Sequence, residues 1–174
     1  MQEATLCLLL QEGNPGVLLL GKKKRGFGKG KIVGFGGKIE HGETSAMAAV
    51  RELEEETGLR VREDELHQLA RLTFLFPARP EWNHLVAVYV TTIWHGDLTE
   101  SHEITPAWFR LDAIPFEEMW DDAYYWMPYV LNGKRIQATF TFNDDNESVD
   151  RYVIEPWTGK TDTVRKSGPS TSGV

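Results

Sequence analysis

Hydrophobic positions along the chain fall into short runs of two different periods, separated by polar punctuation. Residues 5–10 and 17–20 are aliphatic and of strand length, and the Gln-Glu-Gly-Asn-Pro-Gly between them is a turn signal. A glycine loop follows at residues 26–30, then a short strand at residues 32–35. From Thr44 the period changes. Ala46, Ala49, Val50, Leu53 and Thr57 form one apolar stripe at helical spacing, Thr44 or Ser45 can cap its start, and Gly58 can end it.

Beyond this helix the pattern predicts strands at residues 61–66, 68–76, 85–94 and 107–111. Residues 112–119 read as a turn with a short helical piece. A second helix is expected at residues 121–131, ended by Asn132-Gly133. Residues 136–142 and 149–154 flank a polar turn and predict a late hairpin. From residue 158 hydrophobic residues vanish and Gly, Ser, Thr and Pro dominate. The expected organisation is one domain over residues 1–157 and a disordered tail over residues 158–174. Strands with two principal helices predict an α/β fold, a mixed sheet sandwiched between helices.

The first helix carries unusual charge. Glu52, Glu55 and Glu56 stand at i, i+3 and i+4, so three carboxylates share one face near the C-terminal end. Like charges at that spacing repel, and anions at a helix C-terminus oppose its dipole. Most Glu runs are solvated surface. Here the run follows Gly34, Gly36 and Gly37, with Glu43 upstream and Arg51 immediately before it. Such a loop–helix–loop gathers hard oxygen ligands, which suit Mg²⁺ better than softer metals.

The stretch from Gly37 to Leu59 resembles the Nudix box. That pattern is Gly, five residues, Glu, seven residues, then Arg-Glu-U-x-Glu-Glu-x-Gly-U, where U is a bulky aliphatic. Gly37, Glu43, Arg51, Glu52, Leu53, Glu55, Glu56, Gly58 and Leu59 fill all nine fixed positions. Residues 22–37, 108–120 and 125–128 are similar to the MutT-homologue branch, the oxidised-purine nucleoside triphosphate pyrophosphatases. The resemblance implies a Nudix α/β/α sandwich. It also implies hydrolysis of substrates such as 8-oxo-dGTP to the monophosphate and pyrophosphate, which sanitises the nucleotide pool. Two other readings stay open: another nucleoside diphosphate-linked substrate (a different triphosphate, a nucleotide sugar, ADP-ribose), and a non-catalytic nucleotide-binding module.

Carried over position by position, the resemblance makes Glu52, Glu55 and Glu56 metal ligands, with Glu56 as base or direct ligand. Glu103 matches a distal glutamate that completes the metal site, and the carbonyl of Gly36 or Gly37 can also reach it. Arg51 orients the carboxylates. The expected cofactor is Mg²⁺, with Mn²⁺ able to stand in for it. Base and phosphate recognition falls to Thr5, Lys23, Phe27, Phe74, Trp120, Asp122 and Trp126. Two positions depart from the branch pattern. Its purine-contacting asparagine is Val33 here, and its Trp-Pro-Asp-Asp is Trp120-Asp121-Asp122-Ala123. An ungapped match keeps one aspartate, Asp122; a one-residue slip keeps the pair Asp121-Asp122. Either way fewer polar groups remain to read the base.

Composition narrows the setting. A net charge of −7 argues against a nucleic-acid polymer as partner, while a metal with local lysines can still hold a small polyanion. No apolar run reaches membrane length, and the N-terminus lacks a signal-peptide pattern. The single cysteine, Cys7, excludes an internal disulfide. A cytoplasmic monomer acting on a small nucleotide is the expectation.

Overall fold

In the computed structural model, which describes residues 1–161, alternation along the first strand sorts side chains onto two faces of one sheet. This strand, β1 (Gln2–Gln11), points Leu8 into a cluster beneath one helix and Cys7 and Leu9 into a cluster beneath another. The other strands are β2 (Val17–Lys23), β3 (Ile32–Val33), β4 (Phe35–Lys38), β5 (His67–Leu75), β6 (His84–Thr91), β7 (Ile104–Arg110), β8 (Ile136–Phe142) and β9 (Val149–Pro156). The main order is β3-β2-β1-β6-β5-β8-β9, with β4 added to β1 and β7 to β2. β6 runs parallel to β1 and β8 parallel to β5, whereas the other pairs are antiparallel, so the sheet is mixed.

Helix α1 (Ser45–Thr57) covers one face through Ala46, Ala49 and Leu53, packed with Cys7, Leu9, Phe35 and Tyr89. Helix α2 (Ala123–Leu131) covers the other through Trp126, Met127 and Val130, packed with Leu8, Leu72 and Phe140. The result is the α/β/α sandwich. The Thr44 hydroxyl accepts from the Met47 amide at 3.1 Å, and Gly58 closes α1 at φ 76° with its N–H on the Glu54 carbonyl.

Three expectations need correction. Residues 61–66 are not a strand: Glu63–Glu65 forms a 3-10 turn, with the Arg62 amide donating to Glu65 Oε1 at 2.9 Å. The acid-rich run caps its own turn, and extended pairing survives only as a bridge between Arg60 and His95. The single strand at residues 32–35 is two. Ile32 and Val33 pair with β2, whereas Phe35–Lys38 pairs with the N-terminal half of β1. The break at Gly34 lets the chain cross from one strand to the next, since a Cβ there would sit 2.9 Å from Leu8 Cδ2. The second helix starts at Ala123 rather than residue 121, because the Asp122 carboxylate bonds the Trp126 indole instead of capping. Among the described residues no helix is long and apolar enough to cross a membrane. The expected tail, residues 158–174, falls from residue 162 onward outside the described residues.

Candidate active site

The crossing at Gly34 delivers two glycines to the acidic helix, and each contact there requires the missing side chain. A Cβ on Gly36 would lie 1.9 Å from the Thr5 carbonyl oxygen, so β4 can approach β1 only with glycine there. A Cβ on Gly37 would lie 2.5 Å from Glu52 Oε1. The carboxylates of α1 therefore reach the strand backbone itself, and the Gly36 amide donates to Glu56 Oε1 at 2.9 Å.

The three glutamates that share a face in sequence differ in environment. Glu56 is buried, Glu52 half-buried and Glu55 exposed. Burial first, then the charges of Glu52 and Glu103, push the Glu56 carboxyl up to about 8, although the Gly36 hydrogen bond and the Lys23 charge pull the other way. Burial also raises Glu52, opposed by its hydrogen bond from Arg51 and reinforced by the charges of Glu55 and Glu103.

Arg51 is the hub of the box. Its Nε and Nη2 form a two-pronged contact with Glu43 at 2.7 and 2.8 Å, and Nη1 donates to Glu52 at 2.9 Å and Glu55 at 3.4 Å. Nη2 also donates to the Lys38 carbonyl at 3.1 Å, which ties the helix to the loop before it. The Arg51 hydrogen bond is the largest cause holding Glu43 below the usual carboxylate range.

Among the described residues, no three acidic, histidine or cysteine side chains converge into a ready-made cation cluster. The donor chemistry nevertheless fits a hard divalent cation. The charge of half-buried Glu52 raises the proton affinity of desolvated Glu56, that of Glu55 raises Glu52, and the charge of Glu103, on the loop before β7, reaches both Glu52 and Glu56. Glu103 is held beside the glycine loop through its carbonyl, which accepts from the Lys24 amide at 2.8 Å. A cation would relieve the repulsion among these oxygens.

Glu56 also lines a cavity of about 190 Å³ on the α2 side of the sheet. That is below the roughly 300–1,000 Å³ of pockets enclosing whole drug-sized ligands, and it suits a planar base. Lys23 and Phe27 line it from β2 and the glycine loop, Thr5 and Phe74 from β1 and β5, and Trp120, Asp122 and Trp126 from the start of α2. Every residue expected to contact substrate thus meets at one cavity. A groove of about 1130 Å³ lies elsewhere, against β5, β6, β8 and the residue 39–47 segment, and no residue expected to contact the base lines it.

The cavity walls are aromatic and ordered by one another. Phe27 stacks on Trp120 with ring centroids 5.0 Å apart and meets Trp82 edge-on at 4.9 Å. Lys31 Nζ lies 4.6 Å from the Trp120 ring centre. Lys23 Nζ donates to the Phe27 carbonyl at 2.7 Å, holding the glycine loop over the cavity. Asp122 is 6% exposed and accepts from Trp126 Nε1 at 2.7 Å; burial pushes its carboxyl up to about 6 against that hydrogen bond.

The structure separates the two aspartates. Asp121 is exposed, and its Oδ2 accepts from the Val149 amide at 2.8 Å, which anchors the β8–β9 hairpin. Only Asp122 lines the cavity, beside Ala123 and Val33. The sequence did not mark several other lining residues as site residues, among them Phe76, His84, Met119 and Phe142. For His84 the signal exists only in strand register, because it stands directly across from Phe74 in the β5–β6 pair.

A mixed sheet between two helices, with an acidic loop–helix–loop reaching one end of a base-sized cavity, defines a hydrolase of the Nudix type. The family described as NUDIX domain matches residues 1–130, and the chain belongs to that family. It is 46% identical over 142 residues to the oxidized purine nucleoside triphosphate hydrolase of Mus musculus, covering 82% of this chain and 87% of the relative. The Danio rerio protein of the same name is 43% identical over 151 residues, covering 87% and 93%. The crystal structure of the MutT protein from Bacillus halodurans superposes with a TM-score of 0.75, covering 89% of this chain and 98% of that one at 23% identity, a likeness of fold. Members of the family generally need a divalent metal.

Proposed function

We propose that this chain is a Mg²⁺-dependent pyrophosphohydrolase of oxidised purine nucleoside triphosphates such as 8-oxo-dGTP, releasing the monophosphate and pyrophosphate. It would act as a monomer in the cytoplasm. The observation that carries the reading is one cavity, base-sized and walled by aromatic rings, whose lining includes Glu56 of the box. A purine seated there places its phosphates toward the carboxylates of α1. The two vertebrate relatives bear names of this activity, which supports the substrate class.

Glu52, Glu55, Glu56 and Glu103, with the Gly36 and Gly37 carbonyls, would hold the cation. When bound, Mg²⁺ neutralises phosphate charge and increases the acidity of a coordinated water. The residues themselves do the remaining work. Phe27 and Trp120 form a stacked pair that offers a π-face to the purine, a contact contributing roughly 1–3 kcal/mol. Asp122 offers a carboxylate to base N–H groups, oriented by Trp126. Lys23 lines the same cavity, and its charge acts on Glu56, so it balances negative charge where base site and box meet. Arg51 holds Glu43, Glu52 and Glu55 in fixed orientation from behind. Glu56, ionised when the cation is held, would accept the proton of the attacking water.

A pyrophosphate-release screen across normal and oxidised nucleotides, nucleotide sugars and ADP-ribose, with Mg²⁺, tests the proposal. The expected result is fastest turnover of an oxidised purine triphosphate; turnover confined to a sugar-linked diphosphate would overturn it.

A further inference from the structure

His84 is a polar, ring-bearing residue of the cavity for which the chemistry above has no use. It opens β6, in register with Phe74, and its ring stacks on Phe74 at 5.0 Å and lies nearly parallel to Phe76 at 6.2 Å. Nδ1 sits 2.7 Å from the Trp82 carbonyl oxygen. A carbonyl only accepts, so Nδ1 carries the hydrogen and donates. Nε2 makes no hydrogen bond with any described residue, while the ring lines the cavity. Burial lowers the imidazole's proton affinity, which favours the neutral form. Neutral His84 with its hydrogen on Nδ1 leaves a lone pair on Nε2, an acceptor without a partner.

The second polar reader, Asp122, comes from a different wall, the head of α2, and when ionised it is also an acceptor. A cavity with acceptors on two walls favours a base that carries donors on two edges. Guanine has N–H groups on its pairing edge, but its N7 is a lone pair. Oxidation at C8 puts a hydrogen on N7 and turns that edge from acceptor to donor. Resting on the proposed oxidised-purine activity, we infer that His84 is a specificity-determining residue. Its Nε2 accepts the N7 hydrogen of an 8-oxopurine and opposes the N7 lone pair of the normal base. This places a reader in a cavity where Val33 stands in place of the branch's purine-contacting asparagine.

The test separates this role from packing by comparing two substitutions. His84→Asn keeps a donor near the Nδ1 position for the Trp82 carbonyl and removes the Nε2 acceptor; His84→Gln keeps a carbonyl acceptor near the Nε2 position. The readout is kcat/KM for 8-oxo-dGTP divided by that for dGTP. His84→Asn should lower the ratio about tenfold or more, the scale of one buried hydrogen-bond partner, and His84→Gln should restore part of it. A merely structural role would lower both rates together and leave the ratio fixed. A second measurement needs no variant. 7-Deaza-dGTP has C–H in place of the N7 lone pair, so the wild type should turn it over faster than dGTP. An unchanged ratio in His84→Asn, or 7-deaza-dGTP no better than dGTP, overturns the assignment of His84 while wild-type preference for 8-oxo-dGTP stands. Loss of that preference in the wild type would instead overturn the proposed function.

Discussion

At the scale of single residues, two buried carboxyls govern how the protein responds to pH. Asp122 is raised from 3.8 to about 6. Its contribution to stability is complete below about pH 4 and is lost as pH rises through 6, because the folded state then holds a desolvated charge. Asp122→Asn should remove that decline, gaining roughly 3 kcal/mol on the wild type between pH 4 and 7.5, at 1.36 kcal/mol per unit. Urea unfolding across that range checks it; parallel pH profiles would contradict it. Glu56 behaves likewise in a higher window, its contribution lost as pH rises from about 4.5 through about 8. Metal-free Glu56→Gln should therefore melt at higher temperature than wild type at pH 9, while kcat falls by roughly 10²–10⁴. Equal melting temperatures together with full activity would remove Glu56 from the account. The three glutamates were legible as a cluster from spacing alone. Which of them is buried was not, because that depends on how α1 is rotated against β4. His84 was invisible for a related reason: nothing local marks a strand residue that only pairing brings beside Phe74.

At the scale of elements, the box works as a loop and a helix fitted through two glycines, and their substitutions should fail differently. Gly36→Ala meets the backbone oxygen of Thr5, which cannot yield without parting β4 from β1, so the fold should lose roughly 1–3 kcal/mol or more. Gly37→Ala meets the end of a flexible side chain, Glu52 Oε1. It should leave the melting temperature nearly unchanged and raise the Mg²⁺ concentration for half-maximal rate. Glu103→Gln should raise that concentration too, without altering the ratio of rates on different bases; a superimposable Mg²⁺ titration would leave Glu103 a loop acid. The capped ends of α1 were legible because Thr44 and Gly58 carry local signals. The split at Gly34 was not, since Ile32, Val33 and Phe35 read as one apolar run until the wedge between β1 and β2 is known. The turn at Glu63–Glu65 was missed because the apolar residues on either side, Val61 and Leu66, suggested a strand that charge and capping override.

At the scale of the whole molecule, the sandwich sets two chemistries at adjoining edges of one sheet. The α1 face gathers negative oxygens beside backbone, and the α2 face builds an aromatic cavity. Glu56 belongs to both. In the proposed function one purine triphosphate spans them, its base in the cavity and its phosphates at the box. Steady-state kcat/KM for 8-oxo-dGTP and dGTP, with Mg²⁺ and with excess EDTA, tests this most directly. The expected result is a higher value for 8-oxo-dGTP, monophosphate and pyrophosphate as products, and loss of both rates in EDTA. Equal values for the two nucleotides, or turnover that persists in EDTA, would contradict it.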